Sequence, residues 1–255
     1  MTDHIVTSTA DGILQIRMNR PEKKNALSLA MYSAMAEALA SAEANPAVRA
    51  IIISGTDGCF TSGNDVTDFL QYNPTGTESP AIRFLQMLSG AVKPVIACVN
   101  GLAVGIGVTM LLHCDLVYAA DSATFQLPFV NLGLVPEAAS SMLLPRLMGH
   151  QRAAELLLLG EKFDARTAHE VGLVNAVYPV HELVTIVGQR AATLAAKPPA
   201  SLRMTKALLK REPESISARM AEEGKYFSRQ LASPEAREAM EAFMQRRKPD
   251  FSRFA

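Results

Sequence analysis

The chain has 255 residues, of which 49% are hydrophobic and 20% are charged, an ordinary globular composition. It has enough apolar material for one large domain or for a core with a small satellite domain. The 25 basic and 25 acidic side chains cancel to a formal charge of zero. This balance argues against the basic surface of a nucleic-acid-binding protein or of a protein bound to an anionic membrane. We therefore expect neither kind of partner, although a few local Lys or Arg residues would suffice to hold an anionic ligand.

The cysteines and the N-terminal residues indicate in which cellular compartment the protein is expected. The three cysteines are Cys59, Cys98 and Cys114, and none lies in a CxxC pair. A disulfide framework or zinc site is not expected, and no His or Cys spacing indicates another metal. The first residues carry no secretory or transit pattern, so the expected location is cytoplasmic.

The first half of the sequence alternates strand-like and helix-like segments. Residues Gly12–Met18 alternate apolar and polar side chains, which predicts a half-buried strand. Ser28 can cap a helix that runs to about Ala44. The β-branched run Ala50–Ser54 predicts a buried strand. A glycine-containing polar loop is expected from Gly55 to Gly63.

A Pro/Gly/Thr-rich stretch at 72–80 is followed by a helical pattern that ends near residue 90. Further strands and a helix are predicted after it. Pro94–Val99 predicts a second buried strand, closed at residues 100–101, and Asp115–Ala120 predicts a third. An apolar helix is expected to begin after Gly105. From about Ala138 the pattern is almost entirely helical, except for a short strand at Leu173–Tyr178.

The prediction is therefore an α/β class chain. We expect an α/β core over residues 1–195 and a helical region over residues 196–255, with a soft boundary at Lys197 and the two prolines after it. The apolar stretch Leu102–Ala120 is interrupted by His113 and Asp115, so it predicts a buried element and not a membrane span.

Two strand-to-helix turns are candidates for chemistry. Cys59–Asp65 and Gly105–Gly107 each follow a predicted buried strand. Unpaired backbone N–H groups point outward at such turns, and two of them can form an oxyanion hole for an enolate beside a thioester. The alternative is purely structural, because glycine often only supplies an unusual backbone angle.

Glu137 is the candidate acid/base. Pro136 suits the first turn of a helix, and Glu137 would complement the helix dipole there, so a simple cap is one interpretation. The apolar neighbours Leu134, Val135 and Ala138 favour another, in which loss of solvent raises the pKa of the carboxyl towards that of a general base.

The histidines indicate no second catalytic group. His113 in the apolar helix is expected to be a core histidine, His150 a cap, and His169 and His181 parts of polar helices. No GxSxG elbow, phosphate-binding loop or complete dinucleotide fingerprint occurs.

In order along the chain, these features resemble the enoyl-CoA hydratase/isomerase (crotonase) superfamily, over nearly the whole length. The matching segments are Asn19–Leu27 (NRPEKKNAL), Ser62–Val66 (SGNDV), Asn100–Gly107 (NGLAVGIG), Cys114–Ala119 (CDLVYA), Ala123–Phe125 (ATF), Leu132–Glu137 (LGLVPE) and Arg246–Phe251 (RRKPDF). Each motif is weak alone, and the ordered set is specific.

The resemblance implies a spiral of ββα units followed by C-terminal helices that build a homotrimer or a dimer of trimers. It implies an acyl-CoA thioester as substrate, so coenzyme A is part of the substrate and no separate cofactor is expected. The backbone N–H groups of Asn64 and Ile106 would form the oxyanion hole. The residues that would line the CoA and substrate site are Lys24, Ala26, Leu27, Ser62, Gly63, Asn64, Asp65, Val66, Phe129 and Lys248.

The sequence departs from the hydratases of this family at two positions. Those enzymes hold and activate water with two glutamates, and Thr109 and Phe129 stand here instead. Neither side chain accepts a proton from water at neutral pH. The remaining Glu137 segment resembles the delta-3,delta-2-enoyl-CoA isomerase branch, where one carboxylate moves a proton from the α- to the γ-carbon while the oxyanion hole holds the dienolate.

Our prediction is therefore an enoyl-CoA isomerase with Glu137 as its acid/base. The first alternative is an enoyl-CoA hydratase or another crotonase-type acyl-CoA enzyme. The second is a non-catalytic CoA-binding oligomer, because a fold alone does not fix an activity.

Overall fold

A computed structural model of the chain describes residues 4–56, 58–65, 67–68, 79–211 and 216–254. Among the sequence predictions, Val66 and the part of segment 72–80 that precedes Ser79 lie outside these residues.

The described residues form ten strands and ten α-helices. The strands are β1 (Ile5–Ala10), β2 (Ile13–Met18), β3 (Ala50–Ser54), β4 (Gly58–Thr61), β5 (Val95–Val99), β6 (Gly101–Val104), β7 (Leu116–Ala120), β8 (Thr124–Gln126), β9 (Lys162–Asp164) and β10 (Ala176–Tyr178). The helices are α1 (Leu29–Ala44), α2 (Pro80–Ser89), α3 (Ile106–Thr109), α4 (Ser140–Met148), α5 (His150–Leu159), α6 (Ala165–Glu170), α7 (Val180–Ala195), α8 (Pro199–Leu209), α9 (Ile216–Leu231) and α10 (Pro234–Met244). Short 3-10 helices span Pro21–Lys23, Met110–His113 and Val130–Leu132.

From β3 to β8, consecutive strands alternate between two sheets. The larger sheet has the order β1-β2-β3-β5-β7-β10, and the smaller has the order β4-β6-β8-β9. Each of the pairs β3/β4, β5/β6 and β7/β8 therefore contributes one strand to each sheet, and helices connect the pairs. The predicted α/β class and the spiral of ββα units are confirmed.

The burial of the strands follows their sequences. The first four residues of β3 and all of β5 are buried, because both strands lie in the interior of a mainly parallel sheet. In β2 the side chains alternate between buried and exposed, as predicted for a strand with one solvated face. Ser28 caps α1, since its side chain accepts a hydrogen bond from the Met31 N–H at 3.3 Å.

The main hydrophobic core ends at α7, and the helices after it contribute no described residue to that core. The large buried cluster draws its residues from Leu14 to Ala191, and α7 contributes three of them to it. Ala242 and Phe251 are buried outside that cluster. No helix in the described part of the chain is long and apolar enough to cross a membrane.

Several sequence predictions were wrong in detail. The expected loop after β3 contains strand β4, and residue 101 begins β6 instead of closing a turn. The almost entirely helical last third also contains β9. These strands have three or four residues each, too few for an apolar period to stand out in the sequence.

A buried ion pair fastens α8 to the larger sheet. The Lys206 ammonium lies 2.6 Å from the Asp115 carboxylate and donates to the Lys93 carbonyl at the same distance. Asp115 also accepts the Val95 N–H at 2.8 Å, at the start of β5. The Lys206 side chain is only 7% exposed. Loss of the ammonium would leave a largely enclosed carboxylate without its cation, which is costly.

We expect Lys206→Met to lower the free energy of unfolding by about 2–3 kcal/mol, because it removes one partner of this pair and leaves the other behind. Urea denaturation at one fixed protein concentration measures the change. Arg166→Met is the matched control, since Arg166 pairs with Glu170 on the surface and its side chain is 85% exposed. Equal stabilities of the two variants would contradict this account of the ion pair.

Candidate active site

The two candidate oxyanion turns lie side by side. Strands β4 and β6 pair in parallel, with Cys59 opposite Leu102 and Thr61 opposite Ala103. Their carboxyl ends therefore meet at one edge of the smaller sheet, with Asn64 after β4 and Ile106 after β6. Gly107 permits this approach, because a Cβ atom there would lie 2.6 Å from the Thr61 methyl group. The pairing supports the prediction that both turns serve one site.

The orientation of the two N–H groups fits the predicted role. Leu27 forms a parallel bridge with Asn64, donating to the Gly63 carbonyl at 2.8 Å and accepting from the Asp65 N–H at 2.9 Å. The N–H of Asn64 itself then points away from Leu27. Ile106 is the first residue of α3, so its N–H has no partner within the helix.

The predicted CoA-lining segments pack against each other. The Ser62 N–H donates to the Lys24 carbonyl at 2.9 Å, while the Lys24 side chain is exposed. The Arg20 guanidinium reaches the Ala26 carbonyl at 3.1 Å and the Asp65 carboxylate at 2.7 Å. Arg20 therefore fastens the segment that begins at Lys24 to the loop that carries Asn64.

Two aspartates near this loop are already engaged. The hydrogen bond from Arg20 holds the pKa of the Asp65 carboxyl below its ordinary value. The Asp68 carboxylate accepts the Leu29 N–H at 2.8 Å, at the start of α1. Both side chains line a small pocket together with Asn64 and Tyr32. Their hydrogen bonds make them poor candidates for a mobile proton carrier.

Tyr32 is a polar residue of this region that the sequence did not indicate. It lies in the first turn of α1, is 2% exposed, and its hydroxyl donates to the side-chain carbonyl of Asn64. Burial, and second the nearby charge of Glu137, raise the pKa of Tyr32 well above its ordinary value. It therefore stays a neutral donor that orients the Asn64 amide.

Glu137 lies in a loop and not at a helix start, so the predicted helix boundary was wrong. Helix α4 begins at Ser140, and the preceding Ala138 and Ala139 are left-handed, with φ of 52° and 56°. This conformation costs an alanine roughly 1–2 kcal/mol. The surrounding contacts must hold it. Among them, buried Ser140 donates to the Glu137 carbonyl from its hydroxyl at 2.6 Å and from its N–H at 2.9 Å.

The Glu137 carboxylate meets the segment that carries the oxyanion turn. The hydroxyl of Thr109, the last residue of α3, donates to it. Since α3 begins at Ile106, the carboxylate is hydrogen-bonded to the same short helix that carries the proposed N–H donor. Burial raises the pKa of Glu137, and the Thr109 hydrogen bond partly offsets that rise. The predicted upward shift is confirmed.

The source of this burial differs from the prediction. The flanking residues Leu134 and Val135 are 48% and 79% exposed, so they do not enclose the carboxylate. Fully buried Thr109 lies against it instead, and buried Tyr32 is close enough to feel its charge. The group is thus enclosed by parts of the chain that are distant in sequence.

Two further predicted site residues are Phe129, which lies in the core, and Lys248, which lies on the surface. Phe129 is buried in the main core, and its carbonyl accepts the N–H groups of Leu132 and Leu134. It thereby shapes the loop before Glu137. Lys248 is exposed after α10, and its carbonyl accepts from Arg247 at 3.3 Å. Among the described residues, it does not line the pocket beside Asn64.

The chain is similar to known proteins over nearly its whole length. A family model described as enoyl-CoA hydratase/isomerase matches residues 8–253. The chain is 38% identical to human enoyl-CoA delta isomerase 2 over 95% of its own length and 64% of that protein's length. It is 30% identical to the 2,3-dehydroadipyl-CoA hydratase of Escherichia coli strain K12, over 97% of this chain and 98% of that one.

A solved structure is also similar. The protein from Magnetospirillum magneticum AMB-1 that is described as an enoyl-CoA hydratase/carnithine racemase superposes with a TM-score of 0.97 and 46% identity, covering 99% of this chain and 100% of that chain. The chain therefore belongs to the enoyl-CoA hydratase/isomerase family, whose members act on acyl-CoA thioesters.

We expect Thr109→Val to raise the pKa of Glu137 further, because the substitution keeps the side-chain volume but removes the hydrogen bond that favours the ionised carboxylate. A pH titration of protein labelled with ¹³C at the glutamate carboxyl groups measures this shift by NMR. Glu137→Gln identifies the signal by its disappearance. An unchanged or lowered pKa in the variant would refute the proposed contact.

Proposed function

We propose that this protein is an enoyl-CoA isomerase that shifts the double bond of a 3-enoyl-CoA to the 2-position. The observation that carries the proposal is the Glu137 carboxylate, half-buried, with a raised pKa, and hydrogen-bonded to the helix that begins at Ile106. A carboxyl with a raised pKa is a better proton acceptor near neutral pH than an exposed one.

In the proposed mechanism, the thioester carbonyl accepts hydrogen bonds from the backbone N–H groups of Asn64 and Ile106. The Glu137 carboxylate takes a proton from the α-carbon, and the electron pair moves onto the thioester oxygen to give a dienolate. The two N–H donors stabilise that charge. Glu137 then returns the proton to the γ-carbon, the carbonyl re-forms, and the double bond rests between the α- and β-carbons.

Lys24, Ala26, Leu27 and the loop from Ser62 to Val66 are proposed to line the CoA portion of the site, and Phe129 the acyl portion. Lys248 is proposed to meet the nucleotide phosphates, in its own or a neighbouring subunit. The exposed Lys24 side chain supports a contact with an anionic ligand.

Hydration is the alternative within the family, and the similarity to a 2,3-dehydroadipyl-CoA hydratase favours keeping it in the test. Thr109 argues against it here, because its hydroxyl donates to Glu137 instead of supplying a second carboxylate for water. A non-catalytic CoA-binding oligomer would gain nothing from a carboxyl whose pKa is raised by burial.

We also propose a homotrimer or a dimer of trimers in the cytoplasm, with the division between the core and the helical region near residue 195. Large apolar side chains on the C-terminal helices support self-association, since Phe227 is 72% and Phe243 is 85% exposed. Their burial against further copies of the chain would remove this area from water.

The function is tested by supplying 3-enoyl-CoA and 2-enoyl-CoA in parallel. We expect 3-enoyl-CoA to give the absorbance of the conjugated thioester, and 2-enoyl-CoA to gain water slowly or not at all. Brisk hydration without isomerisation would overturn the proposal in favour of a hydratase. Binding of both esters without turnover would favour the non-catalytic alternative.

Glu137→Gln should lower kcat for the isomerisation by at least about a hundredfold, because the amide cannot carry the proton. The Kd for the CoA ester should change little, since the oxyanion donors are backbone groups. Glu170→Gln, a change on the exposed face of α6, is the matched control and should keep the wild-type rate. A Glu137→Gln variant with most of its activity would place the base elsewhere.

A further inference from the structure

His113 forms a hydrogen bond with the loop that carries Glu137. It is the last residue of the 3-10 helix Met110–His113, which continues directly from α3. Its Nε2 atom lies 2.9 Å from the Ala138 carbonyl oxygen. A carbonyl only accepts hydrogen bonds, so Nε2 must carry the proton in this contact.

The same helical segment therefore contacts two consecutive residues of the loop. Thr109 donates to the Glu137 side chain, and His113 donates to the carbonyl of Ala138. Thr109 ends the α-helical part of this segment and His113 ends its 3-10 part. Both side chains nevertheless reach the same loop, at neighbouring positions.

We propose that His113 is a positioning residue for the proton transfer. By holding the Ala138 carbonyl, it keeps Ala138 and Ala139 in the left-handed conformation and so keeps the Glu137 carboxylate against Thr109. The inference rests on the proposed role of Glu137. It goes beyond that role because His113 touches neither the substrate nor the carboxylate.

The opposite side of His113 is anchored independently. The Lys210 ammonium, just after α8, lies 3.5 Å from the His113 carbonyl and 3.1 Å from the Ser89 carbonyl. The neighbouring Asp115 is held by Lys206. The imidazole is therefore presented from a fixed backbone, which is what a positioning group requires.

The charge state of His113 suits the task. Burial lowers the pKa of His113, the Ala138 hydrogen bond partly offsets this, and Lys210 adds to the lowering. Burial and Lys210 therefore both favour the neutral ring over the imidazolium. A neutral donor holds the carbonyl without placing a cation beside Glu137, where it would lower the pKa of the base.

The test compares His113→Leu, which removes the donor, with His113→Gln, whose amide nitrogen is as many bonds from Cα as Nε2. We expect His113→Leu to lower kcat about tenfold with KM within about twofold, because a misplaced base costs rate and not affinity. His113→Gln should recover kcat to within about threefold. Should His113→Leu fail to fold, His113→Asn replaces it, because its shorter amide does not reach Ala138.

A second readout does not depend on turnover. In ¹³C-carboxyl NMR titrations, the pKa of Glu137 should fall towards its ordinary value in His113→Leu, because a released loop admits water, and should stay raised in His113→Gln. If wild-type protein shows no isomerase activity but this pattern appears, the proposed function fails and the positioning role stands. An unchanged Glu137 titration in the donor-free variant overturns the positioning role, whatever the rates.

Discussion

The hydrogen bond between Thr109 and Glu137 is the contact on which the candidate site depends. It joins the helical segment that begins with a proposed oxyanion donor to the loop that carries the proposed base. A proton transfer beside a thioester needs both groups at fixed positions around the same few atoms. The contact also moderates the pKa of Glu137, which burial alone would raise further.

The spiral fold explains how these distant segments meet. Parallel pairing of β4 with β6 places two strand ends at one edge of the smaller sheet. Arg20 and Tyr32 then fix the loop after β4, through Asp65 and Asn64 respectively. The loop that follows β8 in the chain supplies Glu137, which meets Thr109 at the end of α3. The core thus supplies a rigid frame, and hydrogen bonds to other segments hold both Glu137 and the loop that carries Asn64.

The sequence predicted the parts of this fold that depend on local pattern. The β-branched run of β3, the Ser28 cap and the alternation in β2 all gave elements close to those observed. The apolar neighbours of Glu137 indicate it as a candidate acid/base, and the absence of the two hydratase glutamates narrows its role. The upward shift of its pKa is confirmed. The prediction that it starts a helix was wrong, because Pro-Glu is a common helix start and nothing local indicates two left-handed alanines.

The partners of Glu137 could not be predicted from the sequence. Tyr32 lies on the buried face of an apolar helix, where a tyrosine usually serves the core. The sequence indicates Thr109 only as the loss of a carboxylate, because its donor role depends on a loop residue 28 positions further along the chain. Neither contact leaves a local signal, since both arise from packing between separate ββα units.

The most direct test of a single carboxylate as proton carrier is isotope transfer. A 3-enoyl-CoA deuterated at the α-carbon is converted in ordinary water under single-turnover conditions, and the product is examined by mass spectrometry and NMR. We predict that a measurable share of the deuterium appears on the γ-carbon, because one enclosed carboxyl carries it between the two carbons. A product whose γ-carbon carries only solvent protons would contradict this account.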